Sequence, residues 1–498
     1  MSRSSITTQG GSKYLPDFVY YNAEVINGAV ADIPVGDTSA TYNDTRDSAI
    51  ITDASKYRLS ILNVSANGLG RSLPLFIPSI QTGQADVNLT NYAMSFSLQG
   101  VFLSGSGLTK VPVSATPPVR YVVFSPENTQ EVVPASPLTR QDISTKYYWM
   151  STFQSALLMF NNAIYNSAVD GTRAPTISST TSPFSCAWGD TYQYAYNSIY
   201  STSPTAATNF LVNFPTLGAF VNFYTPPQII YTQATNTFSI LADSRCFGTN
   251  LFAGSAVGVL NTFAVAPISR IFFNSNLYGL FANLPVLKWN VATLGVVFPT
   301  STVVSTSIPA VVCPAGYVYE MLVPNNLYQN VVDYRYAPYS GTAPLGFVPL
   351  GQQSAYWILA QDYASVDSIW SPVEGLYLTT NLMPVRKEAM SQSVPLGSSD
   401  IGLSTSTSGA AFLPLIADFQ LDLSQKGAQQ YRQFASFQPL AEFRFTDFAS
   451  SREDIHSIDI KLFWRCRLDG RLYPVEMFNL TNFSVKMMFK NKDVISLK

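Results

Sequence analysis

Charge is scarce in this sequence: Asp, Glu, Lys and Arg make up 12% of its 498 residues, about half the usual share of roughly 25%. The balance is nearly even, with 29 basic and 31 acidic side chains. No cationic excess is available to neutralise the phosphates of a long nucleic acid, so direct, sequence-specific nucleic-acid binding is not expected. Histidine is scarcer still. His456 is the only one, which leaves a Ser-His-Asp or Cys-His arrangement a single candidate base and disfavours imidazole-built zinc sites. Its surroundings, SREDIHSIDI, contain neither G-x-S-x-G nor H-E-x-x-H, and His456 reads as a strand-edge residue rather than a catalytic one.

Four cysteines, Cys186, Cys246, Cys313 and Cys466, lie far apart without a C-x-x-C pair. They suggest neither a zinc ribbon nor a disulfide framework and are expected to be buried thiols. Phosphate-cradling glycine loops are missing as well: there is no G-x-x-x-x-G-K-[ST], and no G-x-G-x-x-G follows a strand pattern. Long hydrophobic runs are absent. The most apolar window, Ala253 to Ile268, is broken by Asn261, Thr262 and Pro267 and falls short of the roughly 20 residues of a spanning helix, so no transmembrane segment and a soluble protein are expected. The stretch MSRSSITTQGGSK has two basic residues and no apolar run, unlike a signal peptide or a polybasic arm. It is expected to be a flexible arm that orders on assembly. Sequons at Asn43, Asn63, Asn88, Asn479 and Asn482 matter only in a secretory compartment, to which no targeting segment points.

What remains is apolar and aromatic. The apolar set reaches 47% and aromatics 13%, with Ser, Thr, Asn and Gln supplying much of the polarity. A surface with so little charge is covered by uncharged polar groups or by neighbouring copies, and self-association is the natural inference. The length exceeds one compact domain of roughly 100–200 residues, so two modules or one heavily elaborated module are expected.

Strand patterns dominate. Tyr57, Leu59 and Ile61 alternate with Arg58 and Ser60, and Tyr92, Met94, Phe96 and Leu98 alternate with Ala93, Ser95 and Ser97; both read as half-buried antiparallel strands. Between them LPLFIPSI, from Leu73, reads as an edge strand or loop because of its prolines. Gln233 to Asn236 reads as a hairpin turn between two β-rich runs. RIFFNSNLYGLFANLP, from Arg270, joins a strand to a short apolar strand or helix. Near the C-terminal end, Ile458, Ile460, Leu462 and Trp464 alternate, Asp469-Gly470 supplies a hairpin turn, and Phe483, Val485, Met487 and Phe489 alternate again, as a sheet ending the fold. One segment differs: Trp149, Phe153, Ala156, Leu157, Phe160, Ile164 and Ala168 have the spacing of an amphipathic helix over 148–168, with Ser144 or Thr145 as cap. Beyond it, Thr172 to Thr208 reads as a long surface loop. Val291 to Val312 is the expected module boundary, and Ser404 to Gly409 reads as loop.

A β-sandwich glycosidase needs two carboxylates facing each other across a cleft. Alternation puts Asp418, Gln420 and Asp422 on one strand face, which reads as a solvated outer face rather than a catalytic or Ca²⁺ site. Glu442 and Arg444 read as an ion pair outside an aromatic core. Arg465, Arg467, Arg471, Lys486, Lys490, Lys492 and Lys498 make the C-terminal region locally basic and read as solubilising residues on edge strands. No catalytic, metal or cofactor residue is assigned, and an enzyme is not expected.

Several segments carry a resemblance: DFVYYNAEVIN from Asp17, KYRLSILNV from Lys56, RIFFNSNLYGLF from Arg270, LYLTTNLMPV from Leu376 and DIKLFWRCRLDGRLYPVEMFN from Asp459. Spread over most of the chain, they resemble the jelly-roll capsid proteins of the double-jelly-roll lineage of DNA viruses, especially those of polinton-like viruses and virophages. The resemblance implies an all-β fold of two jelly rolls side by side with one inserted amphipathic helix: an arm over 1–15, a first module over 16–295 and a second over 296–498. It implies a structural protein of an icosahedral shell, located in the virion and assembled inside the host cell, whose partners are copies of itself and other capsid proteins. A trimeric capsomer is the expected form. A penton or minor capsid protein, as a pentamer with one elaborated jelly roll, is the alternative; a glycan-binding attachment protein and a carbohydrate-active enzyme using Asp418 or Asp422 are readings from other classes.

Overall fold

The computed structural model describes residues 2–9, 15–27, 38–67, 72–104, 109–127, 129, 131–177, 181–232, 235–243, 268–282, 284, 286–289, 319–322, 356–361, 369–390, 411–419, 434–438, 444–449, 453–477 and 481–494. It divides into two compact units. The first comprises Met1–Ile77, Trp149–Thr152 and Trp370–Lys498, and the second Pro78–Tyr148 and Phe153–Ile369. This corrects the expected succession of modules over 16–295 and 296–498: the second unit is inserted into the first. The reason is strand pairing, since Thr481–Asn491 fits between Phe18–Asn27 and Tyr57–Asn67, so a sheet begun early in the chain is completed by its last strand. The boundary expected at Val291 to Val312 and the loop at Ser404 to Gly409 lie outside the described residues, as does the apolar window from Ala253 up to Ile268.

The first unit contains two principal antiparallel sheets. One runs in the order Ser2–Gln9, Phe18–Asn27, Thr481–Asn491, Tyr57–Asn67 and Phe434–Phe437, with Thr446–Asp447 also paired to Tyr57–Asn67. The other runs Leu415–Phe419, Val373–Thr379, Ser457–Cys466 and Leu472–Pro474, with Thr41–Thr45 also on Ser457–Cys466. Alternation explains both, because every second side chain of a strand faces the same way. Phe483, Val485, Met487 and Phe489 are buried with Val19, Tyr21 and Ala23, while Ile458, Ile460, Leu462 and Trp464 are buried in the second sheet. The two C-terminal alternating runs therefore belong to different sheets rather than to one. The Tyr21 and Tyr42 hydroxyls, 2.5 Å apart, link the two sheets, and Tyr21 also donates to Asp44. The turn at Asp469-Gly470 is as expected: Gly470 has φ 70, a conformation that glycine adopts at little cost, and Asp469 accepts from the Arg471 N–H (3.0 Å) and the Tyr473 hydroxyl (2.6 Å). The segment expected to be a flexible arm is instead a strand over Ser2–Gln9, antiparallel to Phe18–Asn27.

In the second unit a six-stranded antiparallel sheet runs Val286–Trp289, Tyr319–Leu322, Ile268–Asn274, Leu89–Ser104 and Thr109–Ala115, with Arg120–Val123 also on Leu89–Ser104. A three-stranded sheet runs Tyr356–Ala360, Thr237–Asp243 and Gln228–Thr232. The expected hairpin is present: Thr232 pairs with Thr237, Asn236 turns with φ 55 and accepts from the Tyr231 hydroxyl at 2.6 Å. LPLFIPSI is an extended connection with single bridges at Phe76 and Ile80.

Helical content exceeds the single helix foreseen. Six α-helices occur among the described residues, all in the second unit: Phe153–Ile164, Ser167–Asp170, Ala187–Thr202, Pro204–Asn213, Leu217–Phe223 and Ser275–Leu280. The first buries Phe153, Ala156, Met159, Phe160 and Ile164, close to the expected stripe. It is shorter than 148–168, and Ser144 bonds to Asp142 instead of capping it. The expected loop from Thr172 to Thr208 holds most of two further helices; Ser203 caps the second by accepting from the Ala206 N–H, with Pro204 at the first helical position, where proline is well tolerated. These helices also change the reading of Tyr92–Leu98. Every residue in that stretch is buried, the serines included, because Phe160, Trp188 and Phe210 pack on Tyr92, Phe96 and Phe102 and Ser95 donates to the Pro117 carbonyl on the strand's flank.

Candidate functional site

Among the described residues, the groups singled out in the sequence do not converge on one centre. His456 is exposed, and its carbonyl accepts from the Arg46 N–H. Asp418 pairs with Arg444, which also reaches Glu388, with all three side chains about two-fifths exposed. Arg444 thus ties Glu388, on the strand Glu388–Met390, to Asp418, on the strand Leu415–Phe419 of a different sheet. Glu442, the partner expected from sequence, lies outside the described residues, as do Asp422, Cys246, Cys313 and Lys498. Cys186 and Cys466 are free and buried, and burial pushes their thiols up to about 12 and about 11 respectively. Such thiols are protonated and chemically inert at neutral pH.

The basic residues of the C-terminal region are largely engaged. Arg465 pairs with Glu374 at 3.4 Å and contacts the Tyr377 hydroxyl; Lys492 donates to the Ser55 carbonyl at 2.8 Å and approaches Asp447; Lys490 lies over the Phe445 ring. They act as clamps within the first unit.

Two buried carboxylate sites, both in the second unit, were not foreseen. Asp190, in the first turn of Ala187–Thr202, is 3% exposed and accepts a two-pronged bond from Arg120, Nε to Oδ2 at 2.6 Å and Nη2 to Oδ1 at 2.7 Å. The same Nη2 donates to the Phe184 carbonyl at 2.7 Å. A planar guanidinium suits this fork geometry, and a carboxylate near a helix N-terminus meets a favourable dipole. Beside the pair lies an open cavity of about 390 Å³ bordered by Tyr121, Val123, Thr181 and Ser182. Asp170 is fully buried, accepts from the Ser185 N–H (2.8 Å) and hydroxyl (2.7 Å), and has Arg173 at 3.6 Å. In the first unit, Asp459 accepts from the Thr380 hydroxyl and from the N–H groups of Asn381 and Leu382. Each carboxylate fixes a loop or helix end. The only sequence signal for them was a lone acidic residue in an apolar stretch, which does not reveal its partner.

No group of three or more His, Cys, Asp or Glu side chains is placed to hold a metal ion among the described residues. No helix among them is long and apolar enough to cross a membrane. The exposed apolar residues are more informative. Val132, Val133 and Leu138, within one seven-residue stretch of the second unit, are 84%, 59% and 82% exposed. Contiguous exposed apolar groups commonly mark an interaction surface.

A family model described as Sputnik minor capsid protein V18/19 matches residues 19–491. Among solved structures, a chain of the Sputnik virophage, from its 3.5 Å cryo-electron microscopy structure, is 19% identical, with a TM-score of 0.57, over 96% of this chain and 98% of that one. The mavirus penton protein, from a crystal structure, is 12% identical, with a TM-score of 0.46, over 95% and 99%. No curated protein matches. The likeness to the Sputnik chain extends over both units, so the β-dominated antiparallel architecture is that of virophage capsid proteins.

Proposed function

The chain belongs to the Sputnik minor capsid protein V18/19 family and is a structural protein of the virion capsid; from that premise we propose that it is a minor component of an icosahedral shell, assembling as a pentamer with copies of itself and meeting other capsid proteins at its rim. The observation that carries this reading is the family match over residues 19–491, whose name favours a minor capsid role over the trimeric capsomer. Low charge and the apolar stretch around Val132, Val133 and Leu138 support assembly by burial of apolar area, worth about 25 cal/mol per Å² and multiplied by symmetry. Assembly then depends weakly on salt, because few charges are available for the contacts.

The mass and shape of the purified protein, by light scattering followed by electron microscopy of the same fraction, test this. Pentamers support the proposal, trimers of pseudo-hexagonal outline return the protein to the capsomer reading, and a persistent monomer refutes both. The double substitution V132D/L138D is expected to weaken association roughly a hundredfold or more, since each buried aliphatic side chain contributes about 1.5–3 kcal/mol, while leaving the monomer folded.

A further inference from the structure

We infer that the edge of the Phe18–Asn27 strand is an interface between copies of this chain, covered by its own Ser2–Gln9 segment in the free subunit and by the Ser2–Gln9 segment of a second copy in the oligomer. The inference rests on the homo-oligomer proposed above and specifies which backbone its subunits exchange.

The edge needs a cover. Phe18–Asn27, FVYYNAEVIN, runs for ten residues without proline and with one charge, Glu24. It buries Val19, Tyr21 and Ala23 on one face and pairs along its other edge with Thr481–Asn491. A long edge of this kind, left bare, recruits other strands. Here Ser2–Gln9 covers it in an unbroken antiparallel register from Ser2 opposite Val25 to Gln9 opposite Phe18.

What holds the cover is backbone. The segment SRSSITTQ has a single aliphatic residue, Ile6, which is only half-buried, and Thr8 is exposed. The ladder hydrogen bonds do not depend on whether the covering strand belongs to the same copy, so exchange between copies conserves them.

The connection is longer than closure of the hairpin requires. Gln9 and Phe18 are register partners, yet eight residues separate them, whereas strand hairpins commonly close with two to five. The near end of this connection is fixed: the Pro16 carbonyl accepts from the Tyr57 hydroxyl at 2.9 Å and the Asp17 carbonyl from the Asn491 N–H at 2.9 Å. The six residues from Gly10 to Leu15, GGSKYL, remain to carry the strand, and extended they span roughly 20 Å. The family match begins at Val19, so the covering segment lies outside the matched span while the edge it covers lies within it.

Cross-linking in the full-length chain tests the exchange. Ser5 stands opposite Asn22, and directly opposed residues of antiparallel strands lie about 4.5–5.5 Å apart, within disulfide range. The double variant S5C/N22C is oxidised both as dilute free subunit and as assembled oligomer, with the parent protein alongside as background, then denatured and run on a non-reducing gel. The expected result is an intrachain link in the free subunit and a ladder of covalent multimers from the oligomer. R3C/E24C, one turn of the pleat away, supplies an independent pair should the first variant fold poorly. An oligomer yielding only intrachain links, or no links in either variant, overturns the exchange while leaving the oligomer intact. Light scattering of the same fractions separates that outcome from a protein that stays monomeric, which defeats the oligomer reading itself.

Discussion

Removing Arg120 should damage the second unit far more than its partial exposure suggests. The Asp190 side chain is 3% exposed and Arg120 28%, so substitution of Arg120 by Met keeps much of the side-chain volume while leaving a buried carboxylate without its counter-ion. Two bonds to that carboxylate and one to the Phe184 carbonyl are lost together. Breaking a buried pair from one side costs about 3–5 kcal/mol. Asp190→Asn is milder, about 1–2 kcal/mol, because the amide oxygen still accepts from the guanidinium and Arg120 retains contact with water. The double variant R120M/D190L is expected to recover at least about 1 kcal/mol relative to R120M, since the uncompensated charge is gone. Hydrogen–deuterium exchange of the amides of Ala187–Thr202 reads this locally, whatever the oligomeric state. R120M should lower protection by roughly 10²–10⁴-fold. A loss below about fivefold, or D190N equal to R120M, would refute the view that a desolvated carboxylate dominates the site.

Other expectations follow from packing and titration. A Cβ at Gly189 would meet the Phe184 Cβ at 2.5 Å, whereas one at Gly279 meets nothing within 4 Å; thermal unfolding should show G189A destabilised by about 1–3 kcal/mol and G279A neutral or stabilised by up to about 1 kcal/mol. Burial pushes Tyr92 and Tyr148 from 10.0 up to about 12 and the Cys186 thiol from 9.0 up to about 12. These groups ionise first in the unfolded chain, so the stability they contribute is complete below about pH 9 and is lost as pH rises toward 12; tyrosinate absorbance should rise together with unfolding rather than ahead of it. Native Cys186 and Cys466 should resist alkylation at pH 8 and react fully in denaturant. Asp418→Asn should change stability by less than about 1 kcal/mol, as thermal unfolding would show, because the Arg444 network is two-fifths exposed and exposed ion pairs contribute little.

The strands were legible because burial of one sheet face imposes period two, and the sequence shows it in Tyr57–Ile61, Ile458–Trp464 and Phe483–Phe489. Pairing was not. Nothing local in TNFSVKMMFKN says that it completes a sheet with Phe18–Asn27 rather than with its neighbour in sequence, so the two units were read as consecutive when one is inserted in the other. Helix Ala187–Thr202 was missed for a different reason. AWGDTYQYAYNSIYST is rich in residues of modest helix propensity, Gly, Thr, Tyr, Asn and Ser, which reads as turn-prone. Yet Trp188, Tyr192, Ala195, Tyr196 and Ile199 carry helical spacing and are all buried. Burial of those aromatics against Phe96, Phe210 and Phe220 outweighs local propensity, as tertiary packing commonly does.

The same contrast between local pattern and tertiary placement holds for function. A catalytic site announces itself through a few residue types at fixed spacing, whereas a shell protein spreads its function over edges and exposed apolar patches whose composition is ordinary. Low charge and abundant aromatics therefore pointed to self-association without indicating where. The fold supplies two specific places: the exposed stretch around Val132, Val133 and Leu138, and the strand edge covered by Ser2–Gln9. They belong to different units and use different forces, apolar burial in one and backbone pairing in the other. Aspartates in the stretch should therefore weaken association roughly a hundredfold or more without changing the Ser2–Gln9 register within a subunit. Cross-links between Ser5 and Asn22 positions should then revert from interchain to intrachain in V132D/L138D, and persistence of interchain links in that background would mean that strand exchange, not apolar burial, holds the oligomer together.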